Sequence, residues 1–387
     1  MGGVCCGVCL FPGSRLGSKF WQDMQFSAAD PLEMDLLADV QRSMAGTREP
    51  STMGGYARAF VRYQRWCEER TPPRDAVPAR PETVALYLQE VANKAKTFSV
   101  VKTASGMIHT AHDLALVPKE QNPTGHRLVA AVREFAQRRL GNRKQNRKEP
   151  LEWDFVITGV VFWRDEGGIA RLMFATVAVT MWTGFFRFDC TEKLHVKDVQ
   201  FFPTHVRLFV EKRKTDHYRY GQVVEVARAV EGQPVCPVDC LQTWVDRQVG
   251  RGLQPGDYLF QKIDGHRFRS DPLSDCLIPG SALDYGQLRR YLFRMMGEAS
   301  GIASEELQCL FGTQSLRSGG ATEVADADQV SDFQFNQYGG WSSSNGSATY
   351  KATKLDKRLA VSRSMPHARE SRRWPAQLAP SRVCLDL

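Results

Sequence analysis

Residues Gly312 to Tyr350 read GTQSLRSGGATEVADADQVSDFQFNQYGGWSSSNGSATY. Arg317 falls near the start of a helix-forming run, Ser315 to Ala327, and a second run from Asp332 to Tyr338 stops at the turn Gly339-Gly340-Trp341. Glycine commonly closes a helix because it takes the left-handed conformation without a Cβ clash. Tyr350 then lies on a third helical run, roughly Ser347 to Leu359. A cation, an indole and a phenol are thus carried at the ends of short helices, where side chains converge most readily.

Working outward, residues 151 to 362 read as one domain. It opens at Leu151 to Val156, followed by a long apolar helix from Gly168 to Trp182 that ends at Thr183-Gly184. The apolar run Phe174 to Phe186 is too short to span a bilayer, so it reads as a buried helix. Arg187 follows it. Strands are expected at Val196 to Phe201, Val206 to Val210 and Val223 to Val226, and the last two flank the polar segment EKRKTDHYRYGQ that holds Lys214. Pro237 to Val249 and Tyr285 to Glu298 read as helices, and Arg251 to Ser281 as loop-rich.

Residues 30 to 140 carry no strand signal. Asp30-Pro31 has an N-cap followed by Pro at the first helical position, and the apolar spacing of Tyr56, Phe60, Tyr63 and Trp66 is helical. Helices Glu82 to Ala95, Ser99 to Leu116 and Thr124 to Leu140 follow, giving a bundle of about five helices. The fold class expected is mostly α, with a small antiparallel sheet in the second domain. Residues 1–29 read as a tail, 141–150 as a basic linker and 363–387 as a basic C-terminal tail.

The chain has 387 residues, with 51 Lys+Arg against 43 Asp+Glu and a net charge of +8. Where the bases lie decides what that excess means. From His126 to Lys148 there are eight Lys/Arg, including Arg138, Arg139, Arg143, Lys144, Arg147 and Lys148, against the single acid Glu134. Two readings stand: a solvated face running into a charged linker, or a strap along a nucleic-acid backbone. The ten cysteines show no disulfide or zinc spacing, and Cys236 and Cys240 lack a matching Cys/His pair. Reduced thiols are the expectation, with no metal site and no membrane segment.

Singly, Arg187, Lys214, Arg317, Trp341 and Tyr350 each have an ordinary structural explanation. Taken in order, they resemble the tyrosine recombinase (phage integrase) family, and the resemblance covers residues 30 to about 360. Thr183-Gly184 with Arg187 is similar to that family's first Arg motif, with one residue more than the commonest Gly-to-Arg spacing. Lys214-Thr215 resembles its hairpin lysine, SLRSGGAT its second Arg motif, and Gly339-Gly340-Trp341 with Tyr350 the remainder. The family's His, three residues before the second Arg, is Gln314 here.

The resemblance implies a helical core-binding domain at 30–140 and a catalytic domain at 151–362. It also implies site-specific recombination through a 3′-phosphotyrosyl intermediate. In that scheme Tyr350 attacks a backbone phosphate, while Arg187 and Arg317 hold the charge that builds on the non-bridging oxygens through planar, always-protonated forks. Trp341 donates its indole N–H to the same phosphate, and Lys214 protonates the leaving 5′ oxygen. The phosphoester bond is exchanged and not hydrolysed, so no cofactor is called for. The implied partners are double-stranded DNA and further copies of the chain, as a tetramer on DNA, with no small-molecule substrate. The implied location is intracellular, at DNA: the nucleus of a eukaryote or the cytoplasm of a bacterium. Gln314 cannot accept a proton, which leaves a second reading of a DNA-binding protein that keeps the fold with impaired turnover.

Overall fold

The computed structural model describes residues 30–141, 148–211, 213, 220–326 and 330–341. The expected tails at 1–29 and 363–387 and the helix at 347–359 lie outside these residues. The chain divides into two compact units, 1–146 and 147–387.

The first unit contains five α-helices among its described residues: α1 Pro31–Ala45, α2 Pro50–Glu68, α3 Pro81–Lys94, α4 Phe98–Leu114 and α5 Arg127–Leu140. Asp30 caps α1, its carboxylate accepting from the Leu32 N–H at 3.0 Å. Phe60, Tyr63, Leu88, Val101, Met107 and Ile108 form the centre of the core. Helix starts follow local chemistry, and that of α5 differs from the Thr124 expected. Helix α2 begins at Pro50 behind Glu49, because Pro at the first turn costs no hydrogen bond. Helix α5 starts behind His126, since Asn122 Oδ1 takes the Thr124 N–H at 3.2 Å and holds Pro123–Gly125 in a tighter 3₁₀ turn. His112 on α4 is fully buried, accepting from the Ala79 N–H at 2.9 Å and donating to the Ile108 carbonyl at 2.8 Å.

The second unit is built around α7, Ile169–Thr183. Every residue from Ala170 to Trp182 except Arg171 is buried, so this helix is apolar on all sides and enclosed by its neighbours. Those neighbours include α6 Trp153–Glu166, α9 Pro237–Val249, α11 Tyr285–Ser300 and α13 Gln314–Asp326. Between α7 and α9 come the short α8 Phe188–Thr191 and an antiparallel sheet, β1 Val199–Phe201, β2 His205–Val210 and β3 Gln222–Ala227, in that spatial order. Val206 faces Val226 and Leu208 faces Val224, and this alternating apolar face joins the core.

Three stretches depart from the sequence reading. Helix α6 runs through Val156, where only a short apolar opening was expected. The Arg251–Ser281 region, expected as loop, contains β4 Gln261–Ile263, α10 Gly265–Ser270 and β5 Leu277–Ala282, with β4 and β5 paired antiparallel. A short helix not expected from sequence, α12 Ser304–Leu310, precedes α13, while α14 Asp332–Gly339 falls where the run Asp332 to Tyr338 was expected. No helix among the described residues is long and apolar enough to cross a membrane.

Candidate active site

Two turns of the second unit define the site. The first follows α7, where Gly184 closes the helix and Phe185 takes a positive φ of 51°. A bulky residue in that region is strained. The second turn follows α14, where Gly340 is left-handed at φ 65°. The Trp341 N–H donates to the Asn336 carbonyl at 2.9 Å, fastening the indole back over α14.

Arg317, on the first turn of α13, lies between these turns and is fully buried. Nη1 donates to the Phe185 carbonyl, and Nη2 to the Gly339 carbonyl at 2.8 Å. The guanidinium carbon stands 4.5 Å from the Trp341 ring centroid, and Trp341 stacks on Phe335 at 5.0 Å and 14°. Two carbonyl dipoles and an aromatic face therefore stabilise the buried cation. The strained Phe185 backbone presents one of those carbonyls.

The glycines of SLRSGGAT explain how α13 comes so close. A Cβ at Gly319 would sit 1.9 Å from the Leu151 carbonyl oxygen, and one at Gly320 would sit 2.2 Å from that of Trp182. Only hydrogen fits at either place. Ser315 adds a local anchor, with its hydroxyl accepting from the Gly312 N–H at 2.9 Å and its carbonyl accepting from Leu151 N–H at 2.9 Å.

Arg187 is half-buried and begins α8, its carbonyl accepting from the Cys190 and Thr191 N–H groups. Gln314, the first residue of α13, is exposed. The fold thus brings Arg187, Arg317 and Trp341 to two adjoining turns and sets Gln314 on the surface at the start of the same helix as Arg317. Lys214 and Tyr350 lie outside the described residues. Tyr338, in contrast, is committed to structure: its hydroxyl donates to the Thr183 carbonyl at 2.8 Å, and burial pushes its pKa well above the ordinary tyrosine value.

Sequence reasoning missed Arg213. It is buried beside the Phe186 ring, with its guanidinium carbon 5.6 Å from the centroid, and a Cβ on Gly340 would meet its Cδ and Nη1 at 2.7 Å. Burial above all holds its pKa below the ordinary arginine value, and the like charge of Arg187 acts in the same direction. Alternation gives no signal for it. The inward positions 206, 208 and 210 of β2 would carry on to 212 and assign 213 to solvent.

The basic-strap residues behave differently. Arg138 pairs with Glu134 at 2.5 Å, and Arg139 donates to the Ala92 carbonyl at 2.6 Å, both within the helical unit. Lys148 donates to the carbonyls of Gln308 and Cys309, each at 2.8 Å, at the C-terminal end of α12, a position a cation favours. Arg143, Lys144 and Arg147 lie outside the described residues. No group of three or more His, Cys, Asp or Glu suited to a metal ion occurs among the described residues.

The fold is shared with a solved site-specific recombinase and a solved transposon integrase. The XerH site-specific recombinase, solved bound to its palindromic difH substrate, superposes with a TM-score of 0.55 over 89% of this chain and 87% of its own, at 12% identity. The Tn1549 transposon integrase, solved with circular intermediate DNA, gives 0.52 over 81% and 94%, at 16% identity. In sequence, the chain is similar to an integrase/recombinase xerD homolog of Selenomonas ruminantium, 24% identical over 290 residues, which is 74% of this chain and 77% of that relative. No protein-family model matches the chain.

Proposed function

We propose that this protein is a site-specific DNA recombinase that breaks and rejoins duplex DNA through a covalent link between Tyr350 and a 3′ phosphate. The observation that carries the reading is Arg317 bonded to the carbonyls of Phe185, two residues before Arg187, and of Gly339, two residues before Trp341, in a fold shared with a DNA-bound recombinase and a DNA-bound transposon integrase. Guanidiniums at such a place suit a pentacovalent phosphate, whose equatorial oxygens gain charge as the tyrosine oxygen attacks. The Phe185 and Gly339 carbonyls fix the plane of the Arg317 fork, so little reorganisation is needed as that charge develops. Lys214 serves as general acid to the leaving 5′ oxygen, and Trp341 closes one side of the phosphate pocket.

The helical unit takes the role of a core-binding domain, with Arg138, Arg139, Arg143, Lys144, Arg147 and Lys148 following the DNA backbone. The active assembly is a tetramer on two duplexes. It works wherever that DNA resides, in the nucleus of a eukaryote or the cytoplasm of a bacterium.

The test is covalent capture. Purified protein is incubated with a library of nicked duplexes of randomised sequence, and adducts that survive denaturant are recovered. Wild type should yield adducts and Tyr350→Phe none. Exposed Gln314 supports a second reading, a DNA binder with impaired turnover. In that case capture fails for wild type while binding persists, and Gln314→His restores it, since general acid–base help is worth roughly 10²- to 10⁴-fold. Equal adduct from wild type and Tyr350→Phe would contradict both.

A further inference from the structure

We infer that Arg213 is a third guanidinium ligand for a backbone phosphate of the DNA substrate, an assignment that rests on the strand-transfer reading above. The residue lies just beyond the end of β2 and turns inward, with only 3% of its surface exposed. Its guanidinium is held between Phe186, which directly precedes Arg187, and Gly340, which directly precedes Trp341. These are the two turns that cradle Arg317 through the Phe185 and Gly339 carbonyls.

Arg213 differs from Arg317 in what satisfies it. Among the described residues, Nε, Nη1 and Nη2 of Arg213 are all buried and none has a hydrogen-bond partner. Among the described residues, no carboxylate forms an ion pair with it either. A guanidinium carries five N–H donors and keeps its proton in proteins, so burying it without acceptors is among the costliest arrangements a fold tolerates. The Phe186 face at 5.6 Å is near the outer limit of about 6 Å for a cation–π contact, and it makes none of the missing hydrogen bonds. Methionine would fill the same space at less cost.

An incoming phosphodiester supplies what is missing: a negative charge and two non-bridging oxygens that match the fork. Gln222 stands at the same point, with its Oε1 2.7 Å from the position a Gly340 Cβ would take and its amide donating to the Gln337 carbonyl. The base of the hairpin is thereby tied to the Gly-Gly-Trp turn. Arg213 is preorganised, and the cost of burying its charge is met in the free protein and recovered on binding.

The experiment measures binding of full-length protein to duplex DNA of mixed sequence, across a range of salt concentrations, for wild type, Arg213→Met and Arg213→Lys. Thermal unfolding of each is followed without DNA. Wild type should show log affinity falling linearly with log salt. Arg213→Met should lose about one unit of that slope, as expected for one phosphate contact, with a DNA-free melting temperature no lower than wild type. Arg213→Lys should keep the slope and bind several-fold more weakly, because a point charge replaces the fork. A wild-type slope in Arg213→Met, with or without a lowered melting temperature, overturns the assignment and makes Arg213 a structural residue. If Arg213→Met does not fold, wild-type affinity in Arg213→Lys overturns it. Wild-type binding that is indifferent to salt would instead remove the strand-transfer reading itself.

Discussion

Arg317 bonds to two main-chain carbonyls and faces an indole. Truncating it affects stability and chemistry together. Arg317→Ala orphans both buried carbonyls, each at a cost of about 1–3 kcal/mol, and should abolish strand transfer. Arg317→Lys retains the charge without the fork. It should melt closer to wild type yet turn over roughly 10²- to 10³-fold more slowly, the range associated with losing one positioned donor to a developing oxyanion. Calorimetry and single-turnover cleavage separate these effects, and equal losses in both variants and both assays would contradict a catalytic part for Arg317. Tyr338 provides the control at the same scale. Among the described residues its hydroxyl serves the Thr183 carbonyl, so Tyr338→Phe should cost about 1 kcal/mol and leave covalent adduct formation intact.

At the scale of elements, α13 packs closely against α7. A Gly320 Cβ would lie 2.2 Å from a main-chain oxygen and 2.8 Å from the Phe185 ring, so Gly320→Ala must push the helix outward. A loss of about 3 kcal/mol or more is expected in denaturant unfolding, and a wild-type midpoint would contradict the packing described. In the helical unit, burial keeps His112 below the ordinary imidazole value. The unfolded chain therefore takes up a proton that the folded chain refuses, and stability falls as pH drops through the unfolded pKa of about 6.5, by at most about 1.4 kcal/mol per pH unit. Unfolding midpoints should show that decline in wild type and a flatter profile in His112→Gln; parallel profiles would assign the pH dependence to other groups.

What could be read from sequence at this scale followed local chemistry. Asp30-Pro31, Pro81 and Pro237 mark helix starts, and the alternation of Val206, Leu208 and Val210 marks a strand whose inner face is buried. Helix α6 escaped because, besides the buried stripe of Val156, Gly159, Val160 and Trp163, the half-buried Phe155, Ile157 and Val161 pack against the core from other sides, which blurs the helical period. Strands β4 and β5 escaped because one is three residues long and the other contains Pro279 and Gly280. In the site, Arg187, Arg317 and Trp341 sit in motifs of distinctive composition. The inward turn of Arg213 depends on contacts with Phe186 and Gly340, both distant in sequence.

Over the whole molecule, two units, an excess positive charge of +8 and a fold shared with a site-specific recombinase are the features on which the proposed strand exchange rests. The central claim is that the exchange passes through Tyr350, and one measurement addresses it directly: mass spectrometry of peptides from captured protein–DNA adducts, with end-labelling of the released strand. The expected result is a nucleotide attached through its 3′ phosphate to the peptide containing Tyr350, together with a free 5′ hydroxyl on the other fragment. An adduct mapped to any other residue, or cleavage leaving a 5′ phosphate, would contradict it.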